Sequence, residues 1–242
     1  LQKNLDQIVK QFIEEEFEGR YIKADKQNYI TRDKQYKASD YFLIDREICL
    51  ELKSRTPSEE YSLMKRLHVI SKSQNAPFRT YGLVNTGQII QGLPNSADAN
   101  KKLTDYAFSK MFRHIRDAAH KFKQEHIYAN RNDPTNIVIF SDHSLYLETT
   151  DTAEYYLGTN ITREDIHKNH LHCIIYIKRP DLVIDVKDSY WIKVLIRDEI
   201  SEQHKRRSDR FARELHVALA QSLYATPYWR DSRNCCFRSL YC

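Results

Sequence analysis

Apolar residues recur every three or four positions over residues 1 to 18, where Leu5, Ile8, Val9, Phe12, Ile13 and Phe17 line one side of a predicted amphipathic helix. Gly19 predicts its end. At about 100° per residue, Glu16 falls inside the apolar stripe and Glu14 on the opposite side, so Glu16 is the acid expected to face inward. From Arg20 to Arg32 the period shortens, and Tyr21, Ile22, Tyr29 and Ile30 around a polar turn predict a strand region. Ser39 to Ser54 then reads as two strands joined by a turn at Asp45 and Arg46. In the second strand a period of two places Ile48, Leu50 and Leu52 on one face, and Glu47, Cys49, Glu51 and Lys53 on the other.

Beyond Ser54 the helical period returns. Ser58 is a predicted cap for a helix from Glu59 to Ser73 that carries Lys65, Arg66 and His68. Pro77 to Pro94 is mixed, with a strand candidate at Thr80 to Val84, and Leu93 to Asp98 has the composition of a linker. A long helix follows from Ala99 to His126, apolar at Leu103, Ala107, Met111, Ile115, Ala118 and Phe122 and basic at Lys110, Arg113, Arg116, Lys121 and Lys123. Asn136 to Ser141 is a short apolar run that predicts a buried strand, with Asp142 and His143 read as the turn after it. Strands are expected at Leu171 to Lys178 and Leu182 to Ile196, and a last helix at Glu199 to Ala225.

Composition narrows the class. At 242 residues and 41% hydrophobic content the chain can bury a sizeable core. No apolar run approaches the roughly 20 residues of a membrane helix. Five cysteines without a C-x-x-C pair argue against a disulfide framework and fit a reducing, cytoplasmic setting. The net charge of +5 permits a polyanionic partner without requiring one.

A hairpin turning near Asp45 folds Asp40 back toward Glu51 and Lys53, so two carboxylates and one ammonium are expected to converge. Carboxylate oxygens suit a hard divalent cation, and a neighbouring ammonium can orient a water or offset charge on a phosphate. At these positions the chain resembles the PD-(D/E)xK phosphodiesterase superfamily, the restriction-endonuclease-like nucleases, in which an Asp precedes Glu-x-Lys by some ten to thirty residues. Asp40, Glu51 and Lys53 match that pattern, whereas Ser39 stands where the family often has Pro.

The resemblance implies an α/β fold with an α-β-β-β-α-β restriction-endonuclease-like core over residues 1–142, and an α+β extension over 143–242 packed on it. It implies an endonuclease hydrolysing DNA phosphodiesters, with Mg²⁺ or Mn²⁺ held by Asp40, Glu51 and the Leu52 carbonyl, and Lys53 assisting the attacking water. Glu16 becomes a further catalytic acid, because many members carry one on the first helix. RNA as substrate, or a non-catalytic nucleic-acid or protein-binding module, are the rival readings.

Other features are weighed against this one. Lys205, Arg206, Arg207 and Arg210 form a basic run expected to touch DNA phosphates. Asp181, Asp185 and Lys187 spell a compressed copy of the signature, too tight for a strand to turn and return. His167, His170 and His172, the last two expected on one strand face, lack the partners of a zinc site, and Gln124 and Tyr128 match a Q-x-x-x-Y of exonuclease-like members only faintly. Residues 228–242, aromatic, basic and cysteine-rich, leave homodimer formation open.

Overall fold

The computed structural model describes residues 5–16, 20–21, 39–55, 57–79, 86–128, 133–142, 155–159, 170–178, 191–223 and 228–229. In chain order these form α1 (Leu5–Glu16), β1 (Arg20–Tyr21), β2 (Tyr41–Leu43), β3 (Ile48–Arg55), α2 (Pro57–Ser73), α3 (Thr86–Gln91) and α4 (Ser96–Tyr128). There follow β4 (Thr135–Asp142), a short helix α5 (155–159), β5 (Cys173–Lys178), β6 (Trp191–Ile196), α6 (Glu202–Leu223) and β7 (Tyr228–Trp229). The architecture is α/β. The strands make one mixed sheet in the order β1-β2-β3-β4-β5-β6-β7, with β2 to β6 as its body and a two-residue strand at each edge.

β2 and β3 pair antiparallel, β3, β4 and β5 run parallel, and β5 and β6 pair antiparallel. All eight residues of β4 are buried, and its apolar stretch Ile137–Phe140 lies at the centre of a sheet covered on both faces. On one face Ile48, Leu50, Ile137, Ile139 and Ile175 pack under Val9, Phe12 and Ile13 of α1 and Phe211, Leu215 and Leu219 of α6. On the other, Cys49, Val138, Phe140, Ile174 and Tyr176 pack under Met111, Ile115, Ala118 and Phe122 of α4. Fully burying one such side chain is worth roughly 1.5–3 kcal/mol, so these two layers supply most of the drive to fold. A third cluster joins Leu63, Leu67 and Ile70 of α2 to Leu103 and Ala107 of α4.

Several elements depart from the sequence pattern. The turn between β2 and β3 is a 3-10 turn over Ile44–Arg46, closed by Glu47 in the left-handed conformation (φ 51°). The tract expected to be a linker is half helix, because α4 begins at Ser96. Asp142 is not a turn residue but the buried last residue of β4. Past residue 142 the chain adds β5 and β6 to the same sheet, and α6 packs against α1. The expected strand at 80–84 and the tail at 230–242 lie outside the described residues. Cys49 and Cys173 are buried in the core, and among the described residues no helix is long and apolar enough to cross a membrane.

Candidate active site

The period of two in β3 fixes the site. Leu50 accepts a hydrogen bond from the Asp40 N–H (3.0 Å), whereas Glu47 accepts one from Thr135 of β4 (2.7 Å). Even-numbered backbone groups of β3 therefore face β2, and odd-numbered ones face β4. β2 stops pairing at Tyr41 opposite Leu50, so the next group on that edge, the Leu52 N–H, lacks a strand partner among the described residues. The Asp40 carboxylate takes that place, with Oδ2 accepting from Leu52 N at 3.0 Å. The Leu52 carbonyl faces the same edge.

Side chains alternate with the backbone, and Glu51 and Lys53 both project to the face covered by α4. Glu51 is fully buried. Its Oε1 meets Lys53 Nζ at 2.7 Å and also the Nζ of Lys121, which descends from α4. Lys121 Nζ lies 4.0 Å from Asp40 Oδ1, so one ammonium touches both carboxylates. Burying a carboxylate without partners costs several kcal/mol, and here both cations sit on one oxygen. Among the described residues Glu51 Oε2 is buried with no hydrogen-bond partner.

Two residues further along the same face is a second charged group. Register places Arg55, Asp142 and Lys178 side by side across β3, β4 and β5. Arg55 grips Asp142 with two nitrogens, Nε to Oδ1 at 2.9 Å and an Nη to Oδ2, while Tyr176 donates its hydroxyl to Oδ2 at 2.5 Å. Lys178 Nζ is 3.9 Å away. A cavity of about 150 Å³ beside the first group is lined by Asp6, Lys10, Asp40, Lys53, Ser54 and Ser141 among others, so Asp40 and Lys53 are reachable from solvent.

No family model, curated protein or solved structure matches this chain. Its site therefore has to be read from its own residues.

Asp40, Glu51, Lys53 and the Leu52 backbone come together. Lys121 joins them, a residue the sequence marks only as part of a basic helix face. For Glu16 the structure describes the backbone at the end of α1 but not the side chain. Its neighbour Glu14, expected to point away, accepts a hydrogen bond from the Tyr41 hydroxyl at 3.0 Å. A long phenol reaching past the flank of the helix accounts for that. The run Lys205 to Arg210 is not at this site. Arg207 pairs with Glu47 and bonds the Asp133 carbonyl (3.3 Å), at the opposite ends of β3 and β4. Lys205 pairs with Glu202 and Arg210 with Glu214, both at 3.0 Å, while Arg206 is exposed. Gln124 lies one turn beyond Lys121 with its amide on His120 (3.0 Å), and the side chain of Tyr128 lies outside the described residues, as do Asp181, Asp185, Lys187 and His167. Among the described residues no three His, Cys, Asp or Glu side chains gather to hold a metal.

His170 and His172 do not share a strand face. His170 is left-handed (φ 60°), and His172 precedes β5. His172 stacks on His204 at 4.0 Å between ring centroids and accepts the Asn136 N–H at Nδ1 (3.0 Å). Burial first, and then the charges of His204, His170 and Arg197, push its pKa from 6.5 down to about 3. The folded protein thus holds it neutral while the unfolded chain takes up a proton below pH 6.5. Its contribution to stability is complete above pH 6.5 and falls as pH drops toward 3. Between pH 7 and pH 5 the loss is expected to be about 2 kcal/mol in urea unfolding. His172→Asn, which keeps an acceptor for Asn136, should flatten that slope, and an unchanged slope would reject this account.

Proposed function

We propose that the chain is a metal-dependent phosphodiesterase of the PD-(D/E)xK kind, with a restriction-endonuclease-like core, acting on DNA. The observation that carries this is the meeting of Asp40, Glu51 and Lys53 with Lys121 around one buried point, with Glu51 Oε2 left without a hydrogen-bond partner among the described residues. That oxygen, the Asp40 carboxylate and the Leu52 carbonyl are hard oxygen donors around one stretch of β3, and they suit Mg²⁺ or Mn²⁺ completed by water. Such an ion would supply Lewis-acid charge to the phosphate and a more acidic bound water.

The chain's own residues do the rest. Asp40, fixed by the Leu52 N–H, and Glu51, fixed by its lysines, hold the oxygen ligands in place. Lys53 lines the cavity and can orient the attacking water or take its proton. Lys121, which shares the Glu51 Oε1 oxygen with Lys53, is placed to meet negative charge growing on the phosphate.

Incubating the protein with Mn²⁺ and matched DNA and RNA oligonucleotides tests this reading. Metal-dependent cleavage of DNA is expected, together with a rise in melting temperature at saturating Mn²⁺ that Asp40→Asn removes. Cleavage of RNA alone would move the substrate to RNA. Neither cleavage nor metal-dependent stabilisation would leave a non-catalytic binding module.

A further inference from the structure

Tyr61 on α2 is 68% exposed, and Lys65, one turn along, holds its ammonium 4.5 Å from the ring centre. Beside it, two more cations share one ring: Arg66 lies 5.8 Å and Lys110 of α4 5.4 Å from the centre of Tyr106. Lys110 also donates to Ser62, which ties α2 to α4 at this point. From Tyr61 to Ser73 α2 contains no acid. Each of these cations lies within the distance at which the ring's quadrupole attracts it.

The position of this patch relative to the candidate site follows from the helix. Tyr106, Lys110 and Lys121 are four and eleven residues apart, which at 3.6 residues per turn puts them along one side of α4. Fifteen residues from Tyr106 to Lys121 span about 22 Å, the length of roughly six stacked nucleotides at 3.4 Å each. We propose that the Tyr61, Lys65, Arg66, Tyr106 and Lys110 surface binds an unpaired DNA strand whose scissile phosphate lies at Glu51 and Lys53. This rests on the phosphodiesterase reading for its far end only. An exposed tyrosine offers a stacking face, which a duplex with its bases paired cannot use and a single strand can.

The test measures binding without cleavage. The Glu51→Gln protein, free of divalent cation, is titrated with labelled single strands of 4 and 16 nucleotides and with a 16-base-pair duplex. Tyr61→Ala in that background is expected to weaken the 16-nucleotide strand about tenfold, while Tyr61→Phe, which keeps the stacking face, binds as the parent does. Lys65→Ala is expected to weaken it severalfold and to reduce the dependence on salt. The 4-nucleotide strand, which covers the Tyr61 surface but cannot reach Glu51, should lose affinity too, and the duplex should be unaffected. Parental affinity of Tyr61→Ala for the long strand, or an equal loss on duplex, overturns the proposal. Since no chemistry is read, the two proposals fail separately. Loss of strand binding in Tyr61→Ala from a wild type that cleaves nothing keeps the surface and removes the hydrolase. Unchanged binding from a wild type that cleaves does the reverse.

Discussion

Truncating Asp142 to Ala is expected to destabilise the protein by about 3–5 kcal/mol, the usual cost of removing one member of a buried ion pair. Stabilities of folded domains are about 5–15 kcal/mol, so this is a third of the total or more. The size follows from what the carboxylate serves. Arg55 is 1% exposed and Lys178 2%, and the Tyr176 hydroxyl donates to the same oxygen. Without Asp142, two cations and a hydroxyl stay buried while their shared acceptor is gone. Thermal unfolding should shift down on the order of 10 °C. The combined replacement of the whole group, Arg55→Met, Asp142→Leu, Lys178→Met and Tyr176→Phe, should recover much of the loss, since apolar groups of similar volume often substitute for a buried ionic cluster. A urea midpoint for Asp142→Ala within about 1 kcal/mol of the parent would contradict this argument.

The same group sets an acid limit. Burial raises the Asp142 carboxyl, but the hydrogen bond and charge of Arg55, then Lys178 and Tyr176, outweigh it and hold the pKa at about 2 instead of 3.8. A carboxyl lowered on folding stabilises fully above its unfolded pKa. Its contribution, about 2 kcal/mol, is therefore complete above pH 3.8 and lost as pH falls through about 2. The His172 loss is under way at higher pH, so the two groups act in succession as the protein is acidified.

What was legible in the sequence tracks the range of the interactions. The faces of β3 could be read because alternation is local: Ile48 and Leu50 packed against α1 and α6 need no partner to be recognised, nor does Cys49 on the α4 side. The approach of Asp40 to Glu51 could be read because one short turn decides it. Lys121 could not. Nothing along α4 distinguishes it from Lys110 or Lys123, and only packing across 70 residues of chain brings it to Glu51. Asp142 was misread as a turn because polar residues after an apolar run usually mark a strand's end. Here Arg55 on the neighbouring strand keeps that acid inside. The pairing within the basic run of α6 was hidden for the same reason. Its charges read as free because Glu47 is about 160 residues away in sequence, yet Arg207 is paired with it.

Glu51→Gln and Lys121→Met are expected to separate metal binding from catalysis. In the folded protein two carboxylates, Asp40 and Glu51, face two ammonium groups, Lys53 and Lys121, so the group is neutral. Lys121 touches both carboxylates and thus competes with any dication that would bridge them. Glu51→Gln removes half of the anionic charge and leaves both lysines. Stabilisation by Mn²⁺ should vanish, and cleavage should fall by about 10³-fold or more. Lys121→Met keeps the aliphatic stem and removes the competing charge. Mn²⁺ should then stabilise the protein at about tenfold lower concentration, yet cleavage should still fall about 10²–10³-fold, because the phosphate has lost a cation that counts most in the transition state. Opposite directions in the two readouts are what mark an ammonium acting on substrate. If Lys121→Met instead loses Mn²⁺ stabilisation in parallel with Glu51→Gln, then Lys121 holds Glu51 in the geometry the cation needs, and its part is support of the carboxylate, not contact with the phosphate.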